Sequence, residues 1–256
     1  VARGNAIASV LSPSQVNGYL DCSARWHYKY VAGLPCPSTG KQVRGKVVHA
    51  LVSYFFREKM QGRTPDAEAL AESYSEIWDM ETPTAEFGAN ENVPELYNTG
   101  AQLAALYIKE AGQHIQPRAT ELAVEGTIGG VAVRGVVDLL CEDTAGKVID
   151  LKTSSRTPSG VAAGHALQLA TYAQLAPNAS GLVQIDTLVA TKQARLHTIE
   201  YQVSDADRRL TERLYPSVQE SMRRGVYLPN RGSMFCNRTN CAFAEACTAE
   251  FGGIVE

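Results

Sequence analysis

The stretch VAVRGVVDLLCEDTAGKVIDLKT, residues 131–153, holds two strand-length runs, Val131–Leu140 and Lys147–Thr153, around a polar loop of residues 142–146. Residues two apart in a strand share a face. Val131, Val133, Gly135, Val137 and Leu139 therefore line one side of the first run, and Arg134, Val136 and Asp138 the other. In the second run Val148, Asp150 and Lys152 share a face, with Ile149 and Leu151 behind it. A hairpin symmetric about Thr144 sets Asp138 directly across from Asp150, and opposed residues project to the same side about 5 Å apart. Two carboxylates so placed repel each other, and a hard divalent cation reverses the sign by taking oxygen ligands from both. Lys152, on the same face, is placed to orient or deprotonate an attacking water or to offset charge on a phosphate. An exposed strand face bearing a salt bridge meets the same D-x(11)-D-x-K spacing, so the surrounding sequence has to decide.

Upstream, the Gly129-Gly130 turn places Glu121 opposite Asp138 and Glu125 opposite Arg134. The second pair reads as an ion pair; Glu121 either extends the acidic row or, the simpler reading, is a solvated surface carboxylate. Downstream, residues 164–175 read as a helix on which Gln168 and Tyr172, spaced i and i+4, share one face. Strands follow near residues 182–190 and 196–203, then a helix from a Ser204 cap toward Arg224, kinked at Pro216 and ended by Gly225.

The first half is helical. Ser12 caps a helix with Pro13 at its first position, Gln15 reaching back and Leu11 and Val16 as a hydrophobic staple, running to about Tyr30. Residues 42–60 carry an apolar stripe through Val43, Val47, Leu51, Tyr54 and Phe55. His49 falls on the side holding Gly45, Val52 and Phe56, with Gly45 leaving room for an ion or a backbone. Two more helices read over residues 66–80 and 94–114. The sum is an α/β pattern.

The composition is that of an ordinary globular chain: 256 residues, 45% hydrophobic, 20% charged, net charge −3. This excludes a disordered, collagenous or disulfide-framework protein, and no run is long enough to span a membrane. The opening residues lack a secretory pattern, so the expectation is a soluble, cytoplasmic protein. Of six cysteines, Cys236, Cys241 and Cys247 fall within twelve residues, a clustering that suggests a metal site. Cys36 and Cys141 read as ordinary thiols.

Several runs occur in a distinctive order: Leu11-Ser12-Pro13-Ser14-Gln15 leading to Cys22 and Tyr28-Lys29-Tyr30; Gly45-Lys46-Val47-Val48-His49; Gly135-Val136-Val137-Asp138; Ile149-Asp150-Leu151-Lys152-Thr153; Gln168 to Tyr172; and the three late cysteines. In that order they resemble the RecB-type branch of the PD-(D/E)xK nuclease superfamily, most of all its small stand-alone members, among them CRISPR-adaptation exonucleases and phage relatives. The resemblance implies a restriction-endonuclease-like core, a mixed central sheet flanked by helices. It implies one nuclease domain over residues 1–256, a helical insertion at 60–118, and a cysteine segment at 225–256 closing onto the N-terminal helix.

The resemblance also implies that His49, Asp138, Asp150 and the Leu151 carbonyl hold Mg²⁺ or Mn²⁺. It assigns Lys152 to activating water and Gln168 and Tyr172 to positioning substrate. A [4Fe-4S] cluster takes four thiolates, and Cys22 with Cys236, Cys241 and Cys247 makes four. The spacing here is C-x4-C-x5-C where the family typically has C-x2-C-x5-C, and the same sulfurs suit tetrahedral Zn²⁺. The expected activity is metal-dependent hydrolysis of DNA, as an exonuclease on single-stranded ends using a metal-activated water. The alternative is a catalytically silent DNA-binding or assembly module that keeps the cluster as a staple. Arg208, Arg209, Arg213, Arg223, Arg224, Arg231 and Arg238 give the last third a basic bias, for which solvated helix faces are the simpler account.

Overall fold

The computed structural model describes residues 9–89, 91–142, 146–253 and 255. The elements open with β1 (Val10–Leu11), α1 (Pro13–Asp21), α2 (Ser23–Tyr30), β2 (Ser38–Thr39), α3 (Gly40–Met60) and α4 (Ala67–Glu81). They continue with β3 (Ala85–Glu86), α5 (Val93–Glu110), β4 (Pro117–Ile128), β5 (Val131–Cys141) and β6 (Val148–Ser154). The chain closes with α6 (Ala163–Leu175), β7 (Leu182–Val189), β8 (Arg195–Gln202), α7 (Asp205–Arg223) and α8 (Ala244–Phe251). Two compact units emerge: residues 38–124 with 136–204, and residues 1–37 with 125–135 and 205–256.

In the larger unit β5, β6, β7 and β8 are neighbours in that order, with β4 on the far side of β5. β5 and β6 are antiparallel, β6 and β7 parallel, and β7 and β8 antiparallel. The parallel pair requires a long crossover, and α6 supplies it. Strand alternation sends Ile149, Leu151 and Leu188 into one core with Val47, Leu51 and Phe55 of α3 and Leu103 and Tyr107 of α5. It sends Val148, Val183 and Ile185 into a second core with Leu169, Ala170 and Ala173 of α6. The result is a mixed sheet flanked by helices, the restriction-endonuclease-like arrangement.

Local signals set the helix ends. Thr39 and Gln42 form a capping box at the start of α3. Lys59 near its end donates to the carbonyls of Gly112, Gln113 and Ile115, at 2.7, 3.2 and 2.7 Å, satisfying acceptors just past α5. The helix expected at 94–114 accordingly ends earlier, at Glu110.

In the smaller unit β1 pairs in parallel with the start of β5, Val10 with Ala132 and Leu11 with Val133. The Ser12 capping box forms as expected, with Pro13 in the first turn. The single helix expected up to Tyr30 is instead two, because Cys22 adopts an extended conformation, φ −157° and ψ 102°, ending α1 and starting α2. α7 runs through Pro216. A proline cannot donate to the carbonyl four residues back, and that carbonyl, on Glu212, faces Gly129. A Cβ on Gly129 would stand 2.2 Å from the Glu212 oxygen, and Gly129 and Gly130 both hold positive φ, +57° and +83°, so the turn needs glycine twice over. The ion pair expected between Glu125 and Arg134 is not formed among the described residues.

The cysteine segment lies against the α1–α2 junction of the same unit. Leu228 N donates to Ser23 Oγ at 2.8 Å, Asn230 Nδ2 to the Asp21 carbonyl at 2.7 Å, and Tyr28 Oη to Glu250 Oε2 at 2.7 Å.

Candidate functional site

Leu139 pairs with Ile149 and Leu140 with Val148, a register centred on position 144. Thr144 itself lies outside the described residues. Continued by one residue, the same register sets Asp138 across from Asp150. Cys141 N donates to the Lys147 carbonyl at 2.9 Å, so every second pair along the hairpin exchanges backbone hydrogen bonds. Leu151 N–H would then go to Val137. It goes instead to Asp138 Oδ2, at 2.7 Å. The backbone ladder stops at this pair, and a side chain fills the gap.

Three further groups reach this gap. His49 on α3 brings Nδ1 to 3.4 Å from Asp138 Oδ1. α3 comes close to the end of β6 because residue 45 is glycine: a Cβ there would stand 3.1 Å from Thr153 Oγ1. Glu121 joins them, and a ligand atom from each of His49, Glu121 and Asp138 lies within 4.8 Å of the other two. Glu121 is exposed, as expected of a surface carboxylate, and also reaches the acidic row. It sits within β4 at φ 48°, a left-handed conformation that costs a non-glycine residue roughly 1–2 kcal/mol. Strained backbone of this kind collects at functional sites. No one-dimensional pattern marks such a residue; its place opposite Asp138 was the available signal.

Asp150 is 1% exposed, and among the described residues neither of its carboxylate oxygens has a neutral hydrogen-bond donor. Its one charged neighbour in contact is Lys152, with Nζ 2.5 Å from Oδ2. Asp186, equally buried on β7, is the internal comparison. It accepts from Tyr107, Thr198 and twice from Gln184, at 2.7–3.0 Å. One buried carboxylate is saturated by neutral donors; the other faces only the Lys152 ammonium.

On α6, Gln168 Nε2 donates to Tyr172 Oη at 3.0 Å. Burial, then the charges of Asp150 and Asp138, push the Tyr172 phenol up to about 12 against the Gln168 bond. His165, one turn earlier on that face, is held below its ordinary value by burial and by the charge of Lys152. It was not anticipated from sequence.

The electrostatics divide the two aspartates. Burial pushes Asp150 up to about 6, with Asp138 adding to the effect and Lys152 opposing it. Burial also acts to raise Asp138, but His49, Lys152 and the Leu151 N–H outweigh it and hold that carboxyl below its usual range. His49 answers in kind: burial acts to lower it, and Asp138 overrides burial, leaving the imidazole above its ordinary value. Burial and then Asp138 raise Glu121. The arrangement can take a divalent ion through oxygen and imidazole ligands beside an ammonium group.

The cysteines are in the smaller unit. Cys22, Cys236, Cys241 and Cys247 line one cavity, together with Arg25, Tyr28, Arg231 and Phe243. Cys22 Sγ accepts from Asn230 N at 3.4 Å, and burial raises the Cys241 and Cys247 thiols. Cys36 is exposed and Cys141 buried, and neither forms a disulfide.

Residues 10–248 match the family model of the PD-(D/E)XK nuclease superfamily. A crystal structure from Eubacterium rectale, provisionally described as an exonuclease, superimposes with a TM-score of 0.59 at 12% identity, covering 97% of this chain and 90% of that one. At that identity it speaks for the fold alone. A second crystal structure, SSO0001, covers 92% of this chain and 95% of its own at 15% identity, with a TM-score of 0.37 that bears no weight. None of the curated proteins matches the chain in sequence.

Proposed function

The chain belongs to the PD-(D/E)XK nuclease superfamily, and on that premise we propose that it is a metal-dependent deoxyribonuclease acting from single-stranded ends. The observation that carries the reading is the broken ladder: Asp138 set across from a buried Asp150 whose only close partner among the described residues is the Lys152 ammonium, beside His49 and Glu121.

The donor set suits a small hard cation, Mg²⁺ or Mn²⁺, since it offers carboxylates, one imidazole and the carbonyl at Leu151. His49, Asp138, Asp150 and that carbonyl would hold the ion, with Glu121 as a further ligand. When bound, it supplies Lewis-acid stabilisation of the phosphate and lowers the pKa of water. The chain's own residues do the rest. Asp138 fixes the His49 ring by its Oδ1 and the Leu151 peptide by its Oδ2, so the ligand positions are set before anything binds. Lys152 holds a positive charge where a phosphate gathers negative charge, and is free to turn there once Asp150 is otherwise engaged. The Gln168–Tyr172 pair positions the strand beside the acidic group.

In the smaller unit, four thiols around one cavity suit an iron–sulfur cluster. The same four thiols would also suit tetrahedral zinc as the alternative. Such thiolates need a reducing compartment, so the cytoplasm is the location proposed. No helix among the described residues is long and apolar enough to cross a membrane.

The test is digestion of end-labelled single- and double-stranded oligonucleotides with and without Mn²⁺. Metal-dependent shortening of the single strand is expected. Binding without any cleavage under all conditions would instead favour the assembly-module alternative.

A further inference from the structure

Beyond the acidic group, the larger unit carries a rim of a different character. No Asp or Glu occurs between Leu151 and His165 or between Thr187 and Ile199, while these segments hold Lys152, Arg156, His165, Lys192, Arg195 and His197. They meet in space. β6 and β7 are parallel and end together, Ser154 opposite Val189, and β8 starts beside that end, with Arg195 opposite Val189. Ala190 N donates to the Ser154 carbonyl at 2.7 Å, and Arg195 Nη2 to Thr157 Oγ1 at 2.7 Å, so the loops after β6 and β7 are joined.

The register also gives direction. Lys152 pairs with Thr187 and Thr187 with His197; Ser154 pairs with Val189 and Val189 with Arg195. Paired residues point to one side, so His197 and Arg195 stand on the face that carries Lys152. Two strand spacings separate them from it, about 10 Å. Arg156, Lys192 and Arg195 are exposed. Among the described residues none of the three is within ion-pair distance of a carboxylate. The whole chain has a net charge of −3, so an unneutralised, acid-free run of cations beside a phosphate-handling site is a local departure. Hydroxyls of Ser155, Thr157 and Ser159 on the loop after β6 add neutral phosphate donors.

We propose that Arg156, Lys192 and Arg195 form the track that carries the backbone phosphates of the nucleic-acid strand away from Lys152. The inference rests on the nuclease reading for its substrate class, but it concerns binding and is tested without turnover.

The experiment measures anisotropy of a fluorescein-labelled oligothymidylate in EDTA, from 50 to 300 mM salt. It compares the wild type, the triple variant R156Q/K192Q/R195Q, and a control triple, K46Q/R57Q/K109Q, that removes equal charge from the helices of the same unit. Three lost phosphate contacts should make the slope of log affinity against log salt shallower by about 2, with binding weakened roughly a hundredfold near 0.1 M salt. The control should keep the wild-type slope, and R156K/K192R/R195K should restore it. Equal slopes in the rim variant and the wild type, equal loss in both triples, or a wild type that does not bind each overturn the proposal. Circular dichroism melts confirm that the variants are folded. Cleavage by the wild type in Mn²⁺ is scored separately: binding along the rim without cleavage sinks the nuclease reading and leaves the track standing.

Discussion

Asp138 Oδ2 accepts the backbone N–H of Leu151 at 2.7 Å, where a regular hairpin would offer the carbonyl of Val137. A side chain has taken over a ladder position. The substitution opens β5 from β6 at the point where Asp150 and Lys152 follow. It also ties Asp138 to the peptide whose carbonyl belongs to the proposed ligand set. Geometry at the ligands is thereby built into the sheet rather than left to loops.

Asp150 should be costly to the metal-free fold. Its folded pKa is raised to about 6 from 3.8, so the folded state holds the proton more tightly than the unfolded chain does. Stability then falls as pH rises from about 4 through 6, and the loss persists above, on the order of 3 kcal/mol at pH 7. Asp150→Asn should therefore raise the Tm of metal-free protein at pH 7, with the gain vanishing near pH 4, while abolishing Mn²⁺-dependent cleavage. A lower Tm for the variant at pH 7 would contradict this.

His49 is raised above its ordinary value by Asp138, so its contribution to the metal-free fold is present below pH 6.5 and is lost as pH rises through the raised value. The same proton competes with a cation. Mn²⁺ affinity, followed by electron paramagnetic resonance, should climb with pH above 6.5 in the wild type and climb less steeply in His49→Gln.

Glu121 couples a strained backbone to a ligand. Glu121→Gly should relieve the left-handed conformation, raising stability by about 1 kcal/mol, and weaken Mn²⁺ binding. Glu121→Gln should weaken Mn²⁺ binding to a similar degree without the stability gain. Calorimetry with both variants separates the two effects.

Anaerobically prepared protein should be brown, with broad absorbance near 400 nm characteristic of iron–sulfur centres. Cys22→Ser and Cys241→Ser should bleach it and lower thermal stability. Colourless wild type with one equivalent of zinc would replace the cluster by a single ion.

Lys59→Met keeps the aliphatic stem and removes three hydrogen bonds to carbonyls past α5. A loss of about 1–3 kcal/mol in urea unfolding is expected, with no change in Mn²⁺ affinity.

The sequence by itself determined the parts with short periods and local chemistry. Strand alternation with a symmetric loop predicted Asp138 across from Asp150, and the Ser12-x-x-Gln15 box started α1 where expected. It could not show that Cys22 would break a helix, because helical propensity is satisfied on both sides of it and only the packing of residues 228–230 explains the turn. It placed Glu121 opposite Asp138 but could not give its left-handed backbone, since such a conformation inside a strand is imposed by its surroundings rather than by its own preference. The acid-free rim likewise joins two loops separated by a whole helix and strand. Local rules act over a few residues, whereas closing a sheet decides which distant residues become neighbours, and that step belonged to the tertiary structure alone.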